Sequence, residues 1–278
     1  MRIEFVKMQG LGNDFFVFDA PPAAFLKPFD KAVLRAIADR HTGVGFDQAL
    51  MLEAPRDAGS RVFYRIFNAD GSEVEQCGNG ARCVAALSYA RAPQLGREFT
   101  MGSLGGAVRA RVHEDKSVSI EIGAPDFEPR ALPMRTRQSA SVYALRIGDD
   151  DVEFGAVSIG NPHVVVRVPD VDTAPVTRLG AALERHPEFP NRTNVGFMQI
   201  VDRGTIRLRV YERGVGETRA CGTGACAAAA IGRNLGILDA DVQVQLPGGA
   251  ARVSWAGPGQ TLWLTGPATV VFTGSIEI

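Results

Sequence analysis

The chain has 278 residues, of which 45% are hydrophobic, a net charge of −1 and four cysteines. This length allows two domains, and the absence of a basic stripe argues against a nucleic-acid or anionic-membrane partner, so we expect a small-molecule ligand. The charged start is unlike a signal peptide, and no apolar run reaches the ~18 residues of a membrane span. So few cysteines do not make a disulfide framework. We therefore expect a cytoplasmic protein with free thiols.

Most apolar segments are short and β-branched or alternating, which is typical of strands separated by Gly, Pro and Asp turns. Strands are predicted at residues 2–7, 15–19, 61–67, 108–112, 118–122, 164–168, 205–211, 242–246, 261–265 and 269–272. Helices are predicted at residues 31–40, 77–91, 176–185 and 221–235. The helices at 77–91 and 221–235 are Ala-rich with almost no polar face, so we expect both to be buried on all sides. The charged stretches 126–137 and 146–153 are interpreted as solvated surface and linker.

Blocks of sequence recur in the same order in the two halves of the chain. Cys-Gly-Asn-Gly-Ala at 77–81 returns as Cys-Gly-Thr-Gly-Ala at 221–225, and Val-Gly-Phe-Asp-Gln at 44–48 returns as Val-Gly-Phe-Met-Gln at 195–199. Gly-Asn-Asp-Phe-Phe-Val at 12–17 returns as Gly-Asn-Pro-His-Val-Val at 160–165. An internal duplication is predicted, with an N-terminal half at 1–123 and a C-terminal half at 124–267. The final segment, 268–278, is a candidate to rejoin the N-terminal half.

Each repeat places a cysteine, Cys77 or Cys221, at the start of a predicted buried helix. The positive end of the helix dipole and the unpaired N–H groups there favour thiolate. Glycines in the first turn let backbone amides approach a carboxylate closely. If that carboxylate belonged to an amino acid, one thiolate could remove the α-proton while the opposing thiol delivered another. This chemistry needs strong stabilisation of the developing enediolate, since nothing in the chain suggests pyridoxal phosphate or another cofactor.

Simpler interpretations apply to other residues of the same kinds. Cys83 and Cys226 fall inside the helices and are expected to be packing residues. There is no Cys-x-x-Cys pair and the histidines are scattered, so no metal site is predicted. A lone asparagine often only supports a turn, but Asn13 and Asn161 occupy equivalent repeat positions, which favours a role in a site.

The chain resembles the diaminopimelate epimerase family over nearly its full length. The resemblance is carried by Lys-Met-Gln-Gly-Leu-Gly-Asn-Asp-Phe at 7–15, Asn-Ala-Asp-Gly-Ser at 68–72, the two cysteine blocks, and Glu-Arg-Gly-Val-Gly-Glu-Thr at 212–218. It implies a mixed α/β fold of two pseudo-symmetric domains, each a mostly antiparallel or mixed sheet around a buried central helix. It also implies interconversion of LL- and meso-2,6-diaminopimelate without pyridoxal phosphate, for lysine and peptidoglycan precursors, by a homodimer.

Residue roles follow from the resemblance. It makes Cys77 and Cys221 the acid and base, with His163 and Glu212 tuning the thiols. Amides at Gly78, Asn79, Gly222 and Thr223 match the carboxylate cradle, and Phe272 stands where a dimer-contact Tyr is common. The substrate-binding positions are Asn13, Gln48, Asn68, Asn161, Asn194, Glu212 and Arg213. Gln9 departs from the His that many relatives carry.

Two other functions remain open at this point. A proline-type racemase or a phenazine-pathway-like isomerase could use the same duplicated scaffold, but a substrate with one amino-acid end would not need Asn68, Asn194 and Arg213 as a second recognition set. A non-catalytic amino-acid-binding protein or a redox-sensing dithiol would be indicated by permanently bridged sulfurs.

Overall fold

The computed structural model describes residues 2–20 and 31–277. These residues form two compact units: the first contains the chain up to Ile120 and from Thr265 onward, and the second is Glu121–Leu264. Within the described ranges, no helix combines the length and the apolar character needed to cross a bilayer.

The first unit is a mixed sheet with two helices. Its strands are β1 (Arg2–Gly10), β2 (Asn13–Asp19), β3 (Gln48–Glu53), β4 (Ser60–Asn68), β5 (Glu73–Val74), β6 (Glu98–Ser103), β7 (Gly106–Val112), the start of β8 (Val118–Gly123) and β18 (Thr269–Glu277). Its helices are α1 (Lys31–Ala38) and α2 (Gly78–Arg91). Helix α2 packs against β1, β3, β4 and β7.

The second unit has the same composition of elements. Its strands are β9 (Tyr143–Ile147), β10 (Asp150–Ser158), β11 (Pro162–Arg167), β12 (Asn194–Asp202), β13 (Thr205–Glu212), β14 (Gly216–Thr218), β15 (Asp241–Leu246), β16 (Gly249–Ser254) and most of β17 (Leu262–Gly266). Its helices are α3 (Val176–Glu184) and α4 (Gly222–Asn234). Helix α4 packs against β10, β11, β12 and β16.

Strand pairing follows the same scheme in both units. In the first, β18, β1 and β2 are successively antiparallel, β2 and β3 parallel, β3 and β4 antiparallel, β4 and β6 parallel, and β6 and β7 antiparallel. In the second, β9, β10, β11, β12, β13, β15 and β16 pair with the same alternation. The repeated sequence blocks therefore correspond to a repeated fold, which confirms the predicted fold class of two pseudo-symmetric mixed sheets.

Each unit has its own apolar core. In the first, the ring of Phe16 packs against the rings of Phe5 and Phe46, and the centroid distances are 4.7 Å to Phe5 and 5.5 Å to Phe46. In the second, Phe154 stacks on Tyr143 and meets Phe189 edge to face. Burial of several aromatic rings per unit fixes the sheet strands that carry the polar residues described below.

Two expectations about local structure were wrong in part. Residues 146–153 are solvated surface, as expected, but not a linker, because β9 and β10 pair there as a hairpin in which Val152 is buried and its charged neighbours face solvent. Helix α2 is not buried throughout: residues 79–85 are buried, but Ala86 and Leu87 are partly exposed and Ala90 is exposed. Helix α4 is buried from Gly224 to Gly232, as expected.

Candidate active site

Cys77 is the residue immediately before α2, in extended backbone with φ −150° and ψ 110°. Its Sγ accepts a hydrogen bond from the Gly80 backbone N–H at 3.4 Å, so the sulfur satisfies one of the unpaired amides at the helix start. A Cβ at Gly80 would stand 3.1 Å from Leu50 Cδ2 and 3.3 Å from Phe15 Cε1. The glycine therefore lets the first turn of α2 lie close against β2 and β3.

Polar side chains surround Cys77 within the first unit. The Cys77 thiol donates to Asn13 Oδ1 at 3.8 Å, and Asn79 Nδ2 donates to the same oxygen at 3.4 Å. Asn79 is buried, while Cys77 and Gly78 are partly exposed. The structure thus brings together Cys77, Asn13, Gly78 and Asn79, as the sequence predicted for one half of a site.

Gln48 and Asn68 form a second polar pair in this unit. They are direct partners across β3 and β4, and Gln48 Nε2 donates to Asn68 Oδ1 at 3.0 Å. Asn68 Nδ2 donates in turn to Ser72 Oγ at 3.0 Å. Among the described residues, no group donates to the buried Gln48 Oε1. A buried acceptor of this kind suits an ammonium group of a ligand.

Cys221 holds the corresponding position before α4, with φ −120° and ψ 110°. It is only 5% exposed, whereas Cys77 is partly open to solvent. Thr223 Oγ1 lies 3.6 Å from the Cys221 Sγ. A Cβ at Gly224 would stand 3.3 Å from the same sulfur and 3.0 Å from Val210 Cγ2, so any side chain at position 224 would crowd the thiol.

Glu212 faces Cys221 and receives a hydrogen bond from the Thr218 hydroxyl. Burial raises the pKa of Glu212, and hydrogen bonds from Thr218 and Cys221 offset part of that rise. Burial, and then the negative charge of Glu212, raise the pKa of Cys221 well above its usual value, although Thr223 and the Gly224 N–H act in the opposite direction. The helix N-terminus alone led us to expect a thiolate; at Cys221 desolvation outweighs the dipole, so the sulfur rests as a thiol beside a carboxylate.

His163 is completely enclosed in the second unit. Its Nε2 lies 3.0 Å from Asn161 Oδ1, and it is the register partner of Asn194 across β11 and β12. Burial, followed by the positive charge of Arg213, lowers the pKa of His163 to about 3. The imidazole is therefore neutral at neutral pH, and as the Asn161 oxygen can only accept, the ring nitrogen facing it carries the proton.

Asn194 and Arg213 adjoin this group. Asn194 Nδ2 donates to Pro162 O at 3.0 Å, and its Oδ1 accepts from the Arg213 backbone N–H at 3.0 Å. The Asn194 amide thus holds the Arg213 backbone in place. The exposed guanidinium of Arg213 donates to Asn191 O at 3.3 Å, which leaves most of its donors available to a ligand.

Several residues near these groups were not among the sequence predictions. Glu184 is 1% exposed and accepts from the Gly214 N–H at 3.0 Å, which supports the turn after Arg213. Thr218 supports Glu212, and Asp47 and Arg82 support Asn13 and Asn79. Asp47 and Arg82 left a signal in the sequence, because their repeat counterparts, Met198 and Cys226, are different residue types. Phe272 lies on β18, where its ring meets that of Phe5 edge to face.

The four cysteines are unbridged thiols, and the described residues contain no cluster of three or more His, Cys, Asp and Glu side chains able to hold a metal ion. Two repeated units, each with a cysteine before a helix whose first half is largely buried and with amide groups beside it, define the class of cofactor-independent racemases and epimerases. The family model for diaminopimelate epimerase matches residues 5–128 and 155–271. The diaminopimelate epimerase of Nitrosomonas europaea is 51% identical over the whole of both chains. The chain belongs to the diaminopimelate epimerase family and is an isomerase.

Solved structures share the fold at low sequence identity. A hydroxyproline epimerase from Agrobacterium vitis is 16% identical with a TM-score of 0.67, covering 99% of this chain and 92% of its own. A phenazine biosynthesis protein from Bacillus anthracis is also 16% identical, with a TM-score of 0.65 and full coverage of both chains. These likenesses concern the fold alone.

Proposed function

We propose that the chain interconverts LL- and meso-2,6-diaminopimelate without pyridoxal phosphate, with Cys77 and Cys221 as the two bases. The observation that carries the proposal is the matched pair of cysteines, each directly before a helix that begins in the interior of a unit of the same fold. In one direction the Cys77 thiolate takes the α-proton and the Cys221 thiol gives its proton to the opposite face. The two sulfurs exchange roles in the reverse direction.

The raised pKa of Cys221 supports its role as a proton donor. After the donation, the sulfur is a thiolate beside Glu212, and the Thr218 hydroxyl holds the carboxylate in place. Since like charges close together are unfavourable in a desolvated site, this state favours return of a proton to the sulfur or to Glu212. We therefore propose that Glu212 adjusts the pKa of Cys221. Neutral His163 is proposed to act on the thiol of Cys77.

Substrate recognition is proposed to divide between the reacting and the distal end. The amides of Gly78, Asn79, Gly222 and Thr223 bind the reacting carboxylate, and as the α-proton leaves they stabilise the enediolate; such donors contribute roughly 3–4 kcal/mol each. Arg213 binds the distal carboxylate through two parallel N–H groups. Gln48 and Glu212 supply acceptors for ammonium, with Asn13, Asn68, Asn161 and Asn194 completing the set.

We also propose that the protein is a homodimer and that it is cytoplasmic. The homodimer is supported by an apolar strip on β18, where Val270, Val271 and Phe272 are 50, 55 and 46% exposed. Exposed apolar residues grouped on one strand are typical of a protein interface. The two units are proposed to correspond to the duplicated halves, with their boundary near Gly123 and Ala124.

Phe272→Glu should convert the dimer to monomer at about 10 µM protein, because the new charge would be desolvated at the interface. Light scattering coupled to size exclusion measures the mass. Leu95→Glu is the matched control: Leu95 is 60% exposed in the same unit but lies off β18, so the dimer should persist. A wild-type mass of one chain at about 100 µM would rule out this interface.

The proposed reaction is tested with purified chain and LL-diaminopimelate in D₂O, in the absence of pyridoxal phosphate. We expect the meso form to appear with deuterium at the inverted α-carbon, since the incoming proton comes from a solvent-exchanged thiol. NMR and chiral chromatography follow both changes. Turnover of proline but not of diaminopimelate would instead assign the chain to a racemase of single-ended amino acids.

A further inference from the structure

A chain of hydrogen bonds runs through Asn13 in the first unit. The buried Arg82 donates from Nη2 to Asn79 Oδ1 at 2.8 Å, and Asn79 Nδ2 donates to Asn13 Oδ1 at 3.4 Å. Asn13 Nδ2 donates to Asp47 Oδ2 at 2.8 Å. The bonds all point the same way, from a guanidinium to a carboxylate.

The two ends of this chain fix its direction. A guanidinium can only donate, and an ionised carboxylate can only accept. Turning the Asn79 amide over would set its NH₂ against Arg82, and turning the Asn13 amide over would set its oxygen against Asp47. The first flip would place two donors against each other and the second would place two acceptors against each other. The Asn13 oxygen is therefore held toward the Cys77 thiol.

Asp47 is itself held in place from several sides. Its Oδ1 accepts from Arg40 Nη2 at 2.8 Å, and its Oδ2 also accepts from the Asp14 N–H at 3.1 Å. The Asp47 N–H donates to Asp14 Oδ1 at 3.0 Å. Charge pairing and these backbone bonds leave the carboxylate little freedom to move away from Asn13.

The second unit lacks these two anchors. The counterparts of Asp47 and Arg82 in the repeat are Met198 and Cys226. There, Asn161 uses its oxygen toward His163, so its NH₂ is the side left available. Equivalent asparagines therefore present opposite groups, an acceptor beside Cys77 and a donor in the other unit.

We propose that Asp47 and Arg82 are positioning residues that keep the Asn13 acceptor against the Cys77 sulfur and so hold a proton on that sulfur until the substrate is bound. The role of the proton in turnover rests on the proposed function. The orientation of the amide does not.

Asp47→Ala tests this directly. Without the carboxylate only the Asn79 NH₂ still holds the Asn13 oxygen, so the amide turns its NH₂ toward the sulfur in a larger fraction of molecules, which favours thiolate. We expect iodoacetamide to alkylate Cys77 several-fold faster at a fixed neutral pH, read by peptide mass spectrometry. Because misplaced groups cost catalysis rather than only binding, kcat should fall about 10-fold or more with a smaller change in KM.

Two variants separate positioning from structural support. Asp47→Asn retains an oxygen that can accept from Asn13 and should restore part of both readouts. Arg40→Gln breaks the ion pairs with Asp47 and Asp14 but leaves the Asp47 acceptor, which the Asp14 N–H still holds, and should keep kcat and the alkylation rate within about threefold of wild type. Circular dichroism verifies that each variant is folded.

Unchanged alkylation and kcat in Asp47→Ala would overturn the proposal, as would equal losses in Arg40→Gln or no recovery in Asp47→Asn. Alkylation of Cys77 needs no substrate. If the wild-type chain failed to act on diaminopimelate, the alkylation rates would still decide whether Asp47 orients Asn13.

Discussion

Cys77→Ala and Cys221→Ala should each lower the rate of epimerisation by roughly 10³-fold or more, because each removes one of two obligatory proton carriers. A single acid or base contributes about 10²–10⁴-fold in enzymes, and here the loss of one sulfur leaves a face of the α-carbon without donor or acceptor. The measurement is the rate of meso-diaminopimelate formation together with deuterium incorporation at the α-carbon in D₂O.

The chain offers a matched control for each substitution. Cys83 lies inside α2 and Cys226 inside α4, and both are fully buried. Burial raises the pKa of Cys83 to about 12, so it remains a thiol at neutral pH. Cys83→Ala and Cys226→Ala should keep kcat within about threefold, with stability losses of about 1–2 kcal/mol from lost packing. Full turnover by Cys77→Ala or Cys221→Ala would sink the two-base mechanism.

Much of the fold could be read from the sequence because the repeats carry it. The cysteine blocks predicted the starts of α2 and α4 to within one residue, since a Gly-rich first turn followed by alanines is a local signal. Eight of the described strands were missed: β3, β5, β6, β9, β10, β12, β14 and β16. Strand β10 opens with Asp150 and Asp151, and only pairing with β9 and β11 makes that acidic segment a strand. Such pairing is non-local, so a window of sequence does not contain it.

The candidate site divides in the same way. Cys77, Asn13 and Asn79 meet in the first unit, and Cys221, Glu212 and Thr223 in the second, because each set lies in or beside a repeated block. The protonation states of the site residues were harder to predict from the sequence. The dipole of α4 is a local property, but desolvation of Cys221 and the charge of Glu212 depend on strands packed around it. Glu184 accepts from the Gly214 N–H, which is distant in sequence, whereas Arg82 donates to Asn79 within the same cysteine block, where the sequence alone gave it no role.

Asp14→Ala should destabilise the first unit by roughly 2–3 kcal/mol, below the ~3–5 kcal/mol usual for a fully buried ion pair because the Asp14 side chain is 17% exposed. Asp14 accepts from Lys7 Nζ at 2.6 Å and from both Arg40 nitrogens, while the Lys7 side chain is only 8% exposed. Among the residues that the structure describes, the ammonium of Lys7 would keep only the Gly45 carbonyl as a hydrogen-bond partner. Asp172→Ala is the control. The Asp172 side chain is 66% exposed, so its ion pair with Arg207 should contribute at most about 1 kcal/mol to the free energy of unfolding.

The measurement must report on the first unit. Both tryptophans, Trp255 and Trp263, lie in the second, so their fluorescence would miss the effect; amide hydrogen exchange in peptides from β1 and β2 follows it directly. Peptides from β12 and β13 serve as the internal comparison. Exchange in β1 and β2 that was no faster in Asp14→Ala than in Asp172→Ala would show that the ion pair contributes little.

The same variant makes a prediction about pH. Burial alone would raise the pKa of Asp14, but hydrogen bonds and charges from Arg40 and Lys7 outweigh it and hold the pKa well below its ordinary value of 3.8. A carboxyl group with a lowered pKa stabilises the folded state fully above its unfolded pKa and loses that contribution as the pH falls toward the folded value. The stability gap between wild type and Asp14→Ala should therefore be constant from about pH 5 to 7 and narrow below about pH 4. A gap that widened in acid would mean that Asp14 is held protonated in the fold, and that Lys7 and Arg40 do not act on it as charges.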